Sequence, residues 1–173
     1  MKKQLKIAIP LLLIGLITLV GYKVISIINQ KKQVAKNIQT IPNFSYKKIN
    51  GTVFTNQNLK KNTATVFIYF NSECEFCNEE ANMIEQNCSK FNNVELLFVS
   101  YEKPNSINAF ATKHKLSNYD NITFICDSKT TFSTTFDVHL MPCLILYNKN
   151  QHLTEKLKGQ TKVETLLKKL NQN

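Results

Sequence analysis

Two cysteines, Cys74 and Cys77, stand three residues apart where an apolar run gives way to a helical pattern. That spacing suits a redox pair. The first thiol lies at the exposed start of a helix and the second one turn further in. Backbone N–H groups and the helix dipole at such a position favour a thiolate, the form that attacks a disulfide. The second sulfur can then resolve the mixed disulfide by closing a short ring. Other uses of the pair fit less well. Half of a zinc site needs a second ligand pair, but Cys88, Cys126 and Cys143 are isolated in sequence and His114, His139 and His152 form no ligand-spaced couple, so no metal is assigned. A purely structural disulfide across so short a loop gains little from closure. Two unrelated buried thiols are the remaining alternative, since free cysteine is often buried.

The elements that position the pair are legible around it. Thr65–Phe70 is apolar and rich in β-branched and aromatic residues, as a buried strand requires. Asn71 and Ser72 break the run, with Ser72 as the expected helix cap. A helix from about Cys74 to Lys90 places Cys77, Ala81, Ile84 and Cys88 on one face. Val94–Tyr101 reads as a second buried strand, parallel to the first through a right-handed crossover. Next come a helix over Ser106–His114 capped by Asn105 or Ser106, a strand over Asn121–Cys126 and a short helix over Lys129–Phe136. Leu144–Asn148 and His152–Lys158 form an antiparallel hairpin. A last helix, Val163–Leu170, is capped by Thr161. Ahead of all these, Asn50-Gly51 is a strong turn signal joining Phe44–Ile49 to Thr52–Phe54, and Asn56–Lys61 is a polar turn or short helix.

The chain has 173 residues, enough for one membrane segment and one compact domain. Its net charge is +10, and residues 1–36 hold seven lysines and no acid, so most of the excess belongs to the N-terminal end. Every basic residue is Lys, which removes bidentate recognition of phosphates or bases, and no basic stretch is interleaved with aromatics; nucleic-acid binding is rejected. The 22 residues Ile7–Ile28 are predominantly apolar, long enough for a bilayer that takes about 20. Lys23 near the far end can snorkel. No small-x-small cleavage site follows the apolar core and no lipobox Cys is present, so an uncleaved anchor is preferred to a signal peptide. Lysines flank both ends, leaving orientation unspecified by charge. The expected organisation is an anchor over 1–28, a polar tether over 29–40 and a folded domain over 41–173. An odd number of cysteines, five, leaves at least one unpaired within the chain.

The order strand, helix, strand, helix, hairpin, helix is the thioredoxin type, and residues 38–173 resemble the membrane-anchored thioredoxin-like thiol-disulfide oxidoreductases of the TlpA/ResA/CcmG kind. Four features carry the resemblance: Pro42-x-Phe44 before an Asn-Gly hairpin, Cys74-Glu75-Phe76-Cys77 after the strand, Met141-Pro142 before an apolar strand, and the closing hairpin with Gly159 and a final helix. It implies an α/β thioredoxin-like fold, a central mixed sheet flanked by helices, with an N-terminal transmembrane helix. It further implies that Pro142 is cis and faces Cys74, with the Met141 backbone free to pair with an extended substrate strand. Glu75, Phe76, Met141 and Pro142 then border the substrate. A plain proline at the start of a strand is the alternative for Pro142. Glu80 falls where this branch carries an acid near the active site, and two readings stand: a group that relays the proton of Cys77, or a solvated carboxylate on the helix face. The partners implied are a disulfide-containing protein substrate and a membrane thiol protein that donates electrons, with the redox domain on the extracytoplasmic side of the cytoplasmic membrane and no cofactor.

The chain departs from the family pattern in three places. Glu73 replaces an aromatic before the first Cys, Phe76 replaces the Pro inside the motif, and Cys143 stands where Thr is common. These bear on substrate choice more than on fold. Cys143 reads as a small core residue or a third redox thiol; Cys88 and Cys126 read as core, and the three histidines as surface or packing residues without evident partners. Glu73, Glu75, Glu79 and Glu80 surround the pair, and no cation lies between Lys61 and Lys90. Negative neighbours disfavour a thiolate, which makes the dithiol the better reductant. A reductase is therefore expected, with Cys74 attacking and Cys77 resolving. The alternatives are a redoxin-type thiol peroxidase, for which no Arg is available, and a copper-binding assembly module using Cys74, Cys77 and His139.

Overall fold

The computed structural model describes residues 2–170, with side chains described from residue 14 onward. The chain divides into two units, Met1–Lys36 and Asn37–Asn173. The first is a single helix, α1 (Lys2–Asn37). Its apolar residues Ile14, Ile17, Leu19, Val20 and Ile25 are exposed. Among the described residues no helix is long and apolar enough to cross a membrane; the side chains of Ile7–Leu13, the first third of the expected span, lie outside them.

The helix runs through most of the expected tether, and the rest of that tether belongs to the folded unit. Ile38 is buried, its carbonyl accepts from the Tyr147 hydroxyl at 3.0 Å, and Thr40 bridges to His152. Two apolar residues, Ile38 and Ile41, suffice to draw this polar stretch onto the core.

The second unit is built on a mixed sheet. A hairpin of β1 (Ser45–Lys48) and β2 (Val53–Thr55) turns at Gly51, whose φ of +85° suits a residue without Cβ. The remaining elements are β3 (Ala64–Tyr69), α2 (Glu75–Gln86), β4 (Val94–Ser100), α3 (Pro104–Lys113), β5 (Ile122–Cys126), α4 (Thr131–Phe136), β6 (Cys143–Tyr147), β7 (Leu153–Lys158) and α5 (Val163–Leu170). The strand order is β2-β1-β5-β4-β3-β6-β7. Strands β3, β4 and β5 run parallel, as the helical crossovers require, while β6 and β7 return antiparallel beside β3. With β3 and β4 buried on both faces, their sequences are continuous rather than alternating apolar runs.

Each face has its own aromatic core. Val66, Ile68 and Phe70 of one side pack with Phe98, Leu144 and Leu146 against apolar residues of α2, α3 and α5. On the other, Phe67 meets Phe44, Phe132, Phe136 and Tyr147. The expected elements are all present, with shifted ends. Helix α3 begins at Pro104 with Lys103 as its cap, because proline's fixed φ and missing N–H suit a first helical position. The helix after the cysteines ends at Gln86 and continues as a 3-10 turn over Cys88–Phe91.

Candidate functional site

Strand β3 delivers the chain to the sheet edge, and the loop Asn71–Cys74 carries it into α2. The Cys74 backbone, at φ −74° and ψ 119°, is the cap residue of that helix, with no side-chain capping bond of its own. Ser72 is not the cap. Its hydroxyl and N–H both donate to the Glu102 carboxylate, at 2.6 and 2.7 Å, because Glu102 at the end of β4 lies closer than the helix. Asn71 accepts from the Glu73 N–H at 2.9 Å. The loop is thereby held to the strand beside it.

Cys74 is half-buried, while Cys77, one turn in, is 2% exposed. Both are thiols. The Cys74 thiol lies 3.7 Å from the Met141 carbonyl, and the Met141–Pro142 bond is cis. Met141 is partly exposed and Pro142 is buried. Gly159 donates to the Pro142 carbonyl at 2.8 Å, tying this turn to the end of β7. Burial pushes the Cys77 thiol well above the ordinary range, and its hydrogen bond with Cys74 and the nearby Glu80 charge push the same way. Cys77 thus holds its proton until something removes it.

Glu80 is the acid whose charge bears on that thiol. It lies on the buried face of α2 with Cys77, and it is wholly inaccessible to solvent, which rules out the solvated reading. Burial raises its carboxyl to about 7, with the Thr161 N–H opposing. That N–H donates to Oε2 at 2.7 Å, while Oε1 has no partner among the described residues. An unpartnered buried carboxylate oxygen is costly unless it carries a proton. Thr161 was expected as the cap of α5; its hydroxyl instead donates to the Gly159 carbonyl at 3.4 Å. The segment Gly159–Thr161 therefore holds both Pro142 and Glu80.

Helix α3 adds residues that no sequence signal marked. Asn78, directly after Cys77, donates through Nδ2 to the carbonyls of Ser72 at 2.9 Å and Cys74 at 2.8 Å. Its Oδ1 lies 2.7 Å from the Lys113 ammonium and 2.9 Å from His114 Nε2. His114 is not a surface residue: it is 4% exposed, with Nδ1 2.7 Å from the Asn82 amide. His139 also has a partner, Asp137 at 2.8 Å. The stretch from Lys61 to Lys90 holds no cation, yet the fold brings Lys113 to the helix start.

Among the expected substrate residues, Phe76 is 58% exposed and Glu75 is also exposed beside the pair. Leu140, ahead of Met141, is exposed too. Cys88, Cys126 and Cys143 are buried, the last two in β5 and β6, strands separated by β4 and β3. The Cys126 thiol donates to the Glu102 carbonyl at 3.2 Å.

The family model of the AhpC/TSA family matches residues 38–156, the stretch that carries the sheet, both cysteines and the cis-proline. The chain belongs to the AhpC/TSA family. Like the thiol oxidoreductases of that family, it has a thioredoxin-like fold. Its AhpC/TSA domain is similar to a secreted Mycobacterium tuberculosis disulfide oxidoreductase homologous to E. coli DsbE, at 17% identity and a TM-score of 0.62, covering 78% of this chain and 96% of that one. StoA from Bacillus subtilis matches at 18% identity and a TM-score of 0.60, over 76% of this chain and 98% of that one. Peroxidoxin BcpB from Mycobacterium tuberculosis matches at 14% identity and a TM-score of 0.65, over 76% and 93%. No curated protein sequence matches the chain. At these identities the solved structures establish the fold of this AhpC/TSA chain, and its thiols must speak for the chemistry.

Proposed function

We propose that the protein is a membrane-anchored thiol-disulfide oxidoreductase that reduces disulfides of extracytoplasmic proteins through Cys74 and Cys77. The observation that carries this reading is the half-buried Cys74 thiol at the start of α2, 3.7 Å from the carbonyl that precedes a cis-proline, with a buried second thiol hydrogen-bonded behind it. In the forward step the Cys74 thiolate attacks one sulfur of the substrate disulfide. The S–S bond breaks, a Cys74–substrate bond forms, and the other substrate sulfur leaves and takes a proton from water. Cys77 then passes its proton to the Glu80 carboxylate and attacks Cys74. The second substrate sulfur departs as a thiolate and takes a proton from water, Glu80 later returns its proton to solvent, and two electrons have moved from the protein dithiol to the substrate.

Reduction rather than oxidation is supported by the acids Glu73, Glu75 and Glu79 around the pair and by the raised Cys77 thiol, both of which favour giving up the protonated dithiol. Glu75, Phe76, Met141 and Pro142 border the substrate in this reading. Exposed apolar residues along α1, flanked by lysines, support an anchor in the cytoplasmic membrane, and disulfide chemistry favours an oxidising, extracytoplasmic side for the redox domain. A membrane thiol protein then returns electrons to the oxidised pair.

The test is the equilibrium potential of Cys74–Cys77 against glutathione, together with trapping of mixed disulfides by the Cys77→Ala variant. A potential as oxidising as about −120 mV would reverse the direction. A second reading, thiol peroxidase, is favoured by the likeness to peroxidoxin BcpB. Robust peroxide consumption by Cys77→Ala, which keeps only Cys74 of the pair, would establish it in place of the first.

A further inference from the structure

Nothing in the exchange chemistry requires Asn78, yet its amide is the most fully committed polar group near the cysteines. Both N–H bonds of Nδ2 are spent on backbone carbonyls, those of Ser72 and Cys74. The first belongs to the loop and the second to the cap residue of α2, so one side chain joins the two across the segment that carries the Cys74 sulfur. Those two carbonyls fix which end of the amide is nitrogen. Oδ1 must then accept, and it faces two donors from α3, Lys113 Nζ and His114 Nε2.

This settles the state of the histidine as well. Because Asn78 Oδ1 can only accept, the neutral His114 ring carries its hydrogen on Nε2. Burial, with Lys113 alongside, disfavours a second ring proton, and on the other side of the ring Nδ1 lies 2.7 Å from Asn82 Oδ1. Donors on Oδ1, one of them charged, polarise the amide and strengthen its two N–H bonds. The Cys74 backbone donates to the Asn71 carbonyl at 3.2 Å and accepts from the Cys77 and Asn78 N–H groups at 3.1 and 3.0 Å. The Asn78 side chain adds the tie from this helix start to the loop carbonyl of Ser72, while Glu102 holds the far side of the loop through Ser72.

We propose that Asn78, braced from α3 by His114 and Lys113, is the positioning residue that sets the attack geometry of Cys74. It touches neither sulfur nor substrate and acts by holding the Cys74 backbone so that the thiol stays opposite the Met141 carbonyl. In-line attack on a disulfide is sensitive to such placement, and a misplacement of about 1 Å can cost on the order of a hundredfold. The inference rests on the reading of Cys74 as the attacking thiol.

The experiment uses the full-length reduced chain and two reagents: a disulfide-bonded peptide, whose attack needs aligned sulfurs, and iodoacetamide, a small alkylating agent that reports the thiol itself. Reaction at Cys74 is followed by peptide mass. Asn78→Ala keeps α2, since Ala is the better helix former. His114→Gln keeps an N–H donor where Nε2 stands, and His114→Leu removes it at similar bulk. Asn78→Ala and His114→Leu should lower the exchange rate about tenfold or more while alkylation stays within about threefold of wild type. His114→Gln should restore exchange to within about twofold of wild type. Wild-type exchange by Asn78→Ala, or exchange by His114→Gln as slow as by His114→Leu, would overturn the proposal. So would an equal fall in both reactions, which would assign Asn78 to the acidity of the thiol. Failure of wild-type Cys74 to react with either reagent would instead remove the nucleophile assignment, and the positioning role with it.

Discussion

Two cysteines lie within reach of the same cis-proline and have opposite characters. Cys74 faces the Met141 carbonyl from the start of a helix and is half-buried. Cys143 follows Pro142 directly, sits in β6 opposite Tyr69 of β3 and Lys158 of β7, and is 1% exposed. Burial pushes its thiol up to about 11, even with Lys156 and Lys158 nearby to favour the thiolate. A strand interior surrounds the sulfur with side chains and spends the backbone N–H groups on the ladder. A helix start leaves N–H groups facing outward and one side of the sulfur open. The backbone element each cysteine occupies sets how far its sulfur is exposed, and closeness to the cis-proline does not equalise the two.

The comparison breaks most sharply under substitution of each sulfur. Cys74→Ser should lower disulfide exchange by at least about a thousandfold, since the nucleophile is gone and only uncatalysed exchange remains. Cys143→Ser should leave the rate within about twofold. A stopped-flow assay with a peptide disulfide reads both, and equal losses would dissolve the distinction.

Glu80 sharpens it next, through the proton-accepting role proposed for it beside Cys77. Glu80→Gln should slow resolution of the mixed disulfide by roughly a hundredfold at pH 8. It should also change how stability depends on pH. The folded chain holds the Glu80 proton up to about 7, whereas the unfolded chain releases it near the ordinary 4.5. The contribution of Glu80 to stability is therefore fully present below pH 4.5 and is lost as pH rises to about 7. The fall attributable to this group is about 3 kcal/mol. In Glu80→Gln that slope should vanish, as urea unfolding at pH 4.5 and pH 8 would show.

Smaller effects are expected from the surface. Phe76→Ser should raise the KM for a peptide disulfide roughly threefold to tenfold, with alkylation of Cys74 unchanged, because an exposed ring beside the pair offers apolar contact to a substrate. An unaltered KM would remove Phe76 from the binding surface. Smallest of all, Cys143→Ala should cost about 1 kcal/mol of stability, measured by the same unfolding assay, as loss of one buried sulfur in a packed strand.

Much of this was legible in residue order. The Cys-x-x-Cys pair, the strand before it and the apolar helix face after it read directly from local pattern, and β3 and α2 form where that pattern places them. Helix caps read less well. Ser72 and Thr161 have the chemistry of caps, but each found a nearer partner, Glu102 and Gly159 respectively. Asn78 carried no signal of its role. His114 carried none, because its partners lie some thirty residues away in sequence.

Sequence by itself determined the redox pair, its place at a strand-to-helix junction and the proline that follows downstream, because these depend on spacing and on periodicity within single elements. Tertiary structure alone decided that Glu80 is sealed from water, that Lys113 reaches the start of a helix whose own stretch has no cation, and that Cys143 is buried while Cys74 is half-exposed. Burial and charge neighbourhood are sums over whatever the fold brings together, and the sheet order, with β6 beside β3 and α3 against α2, is what brings Pro142, His114 and Lys113 to two sulfurs far from them along the chain.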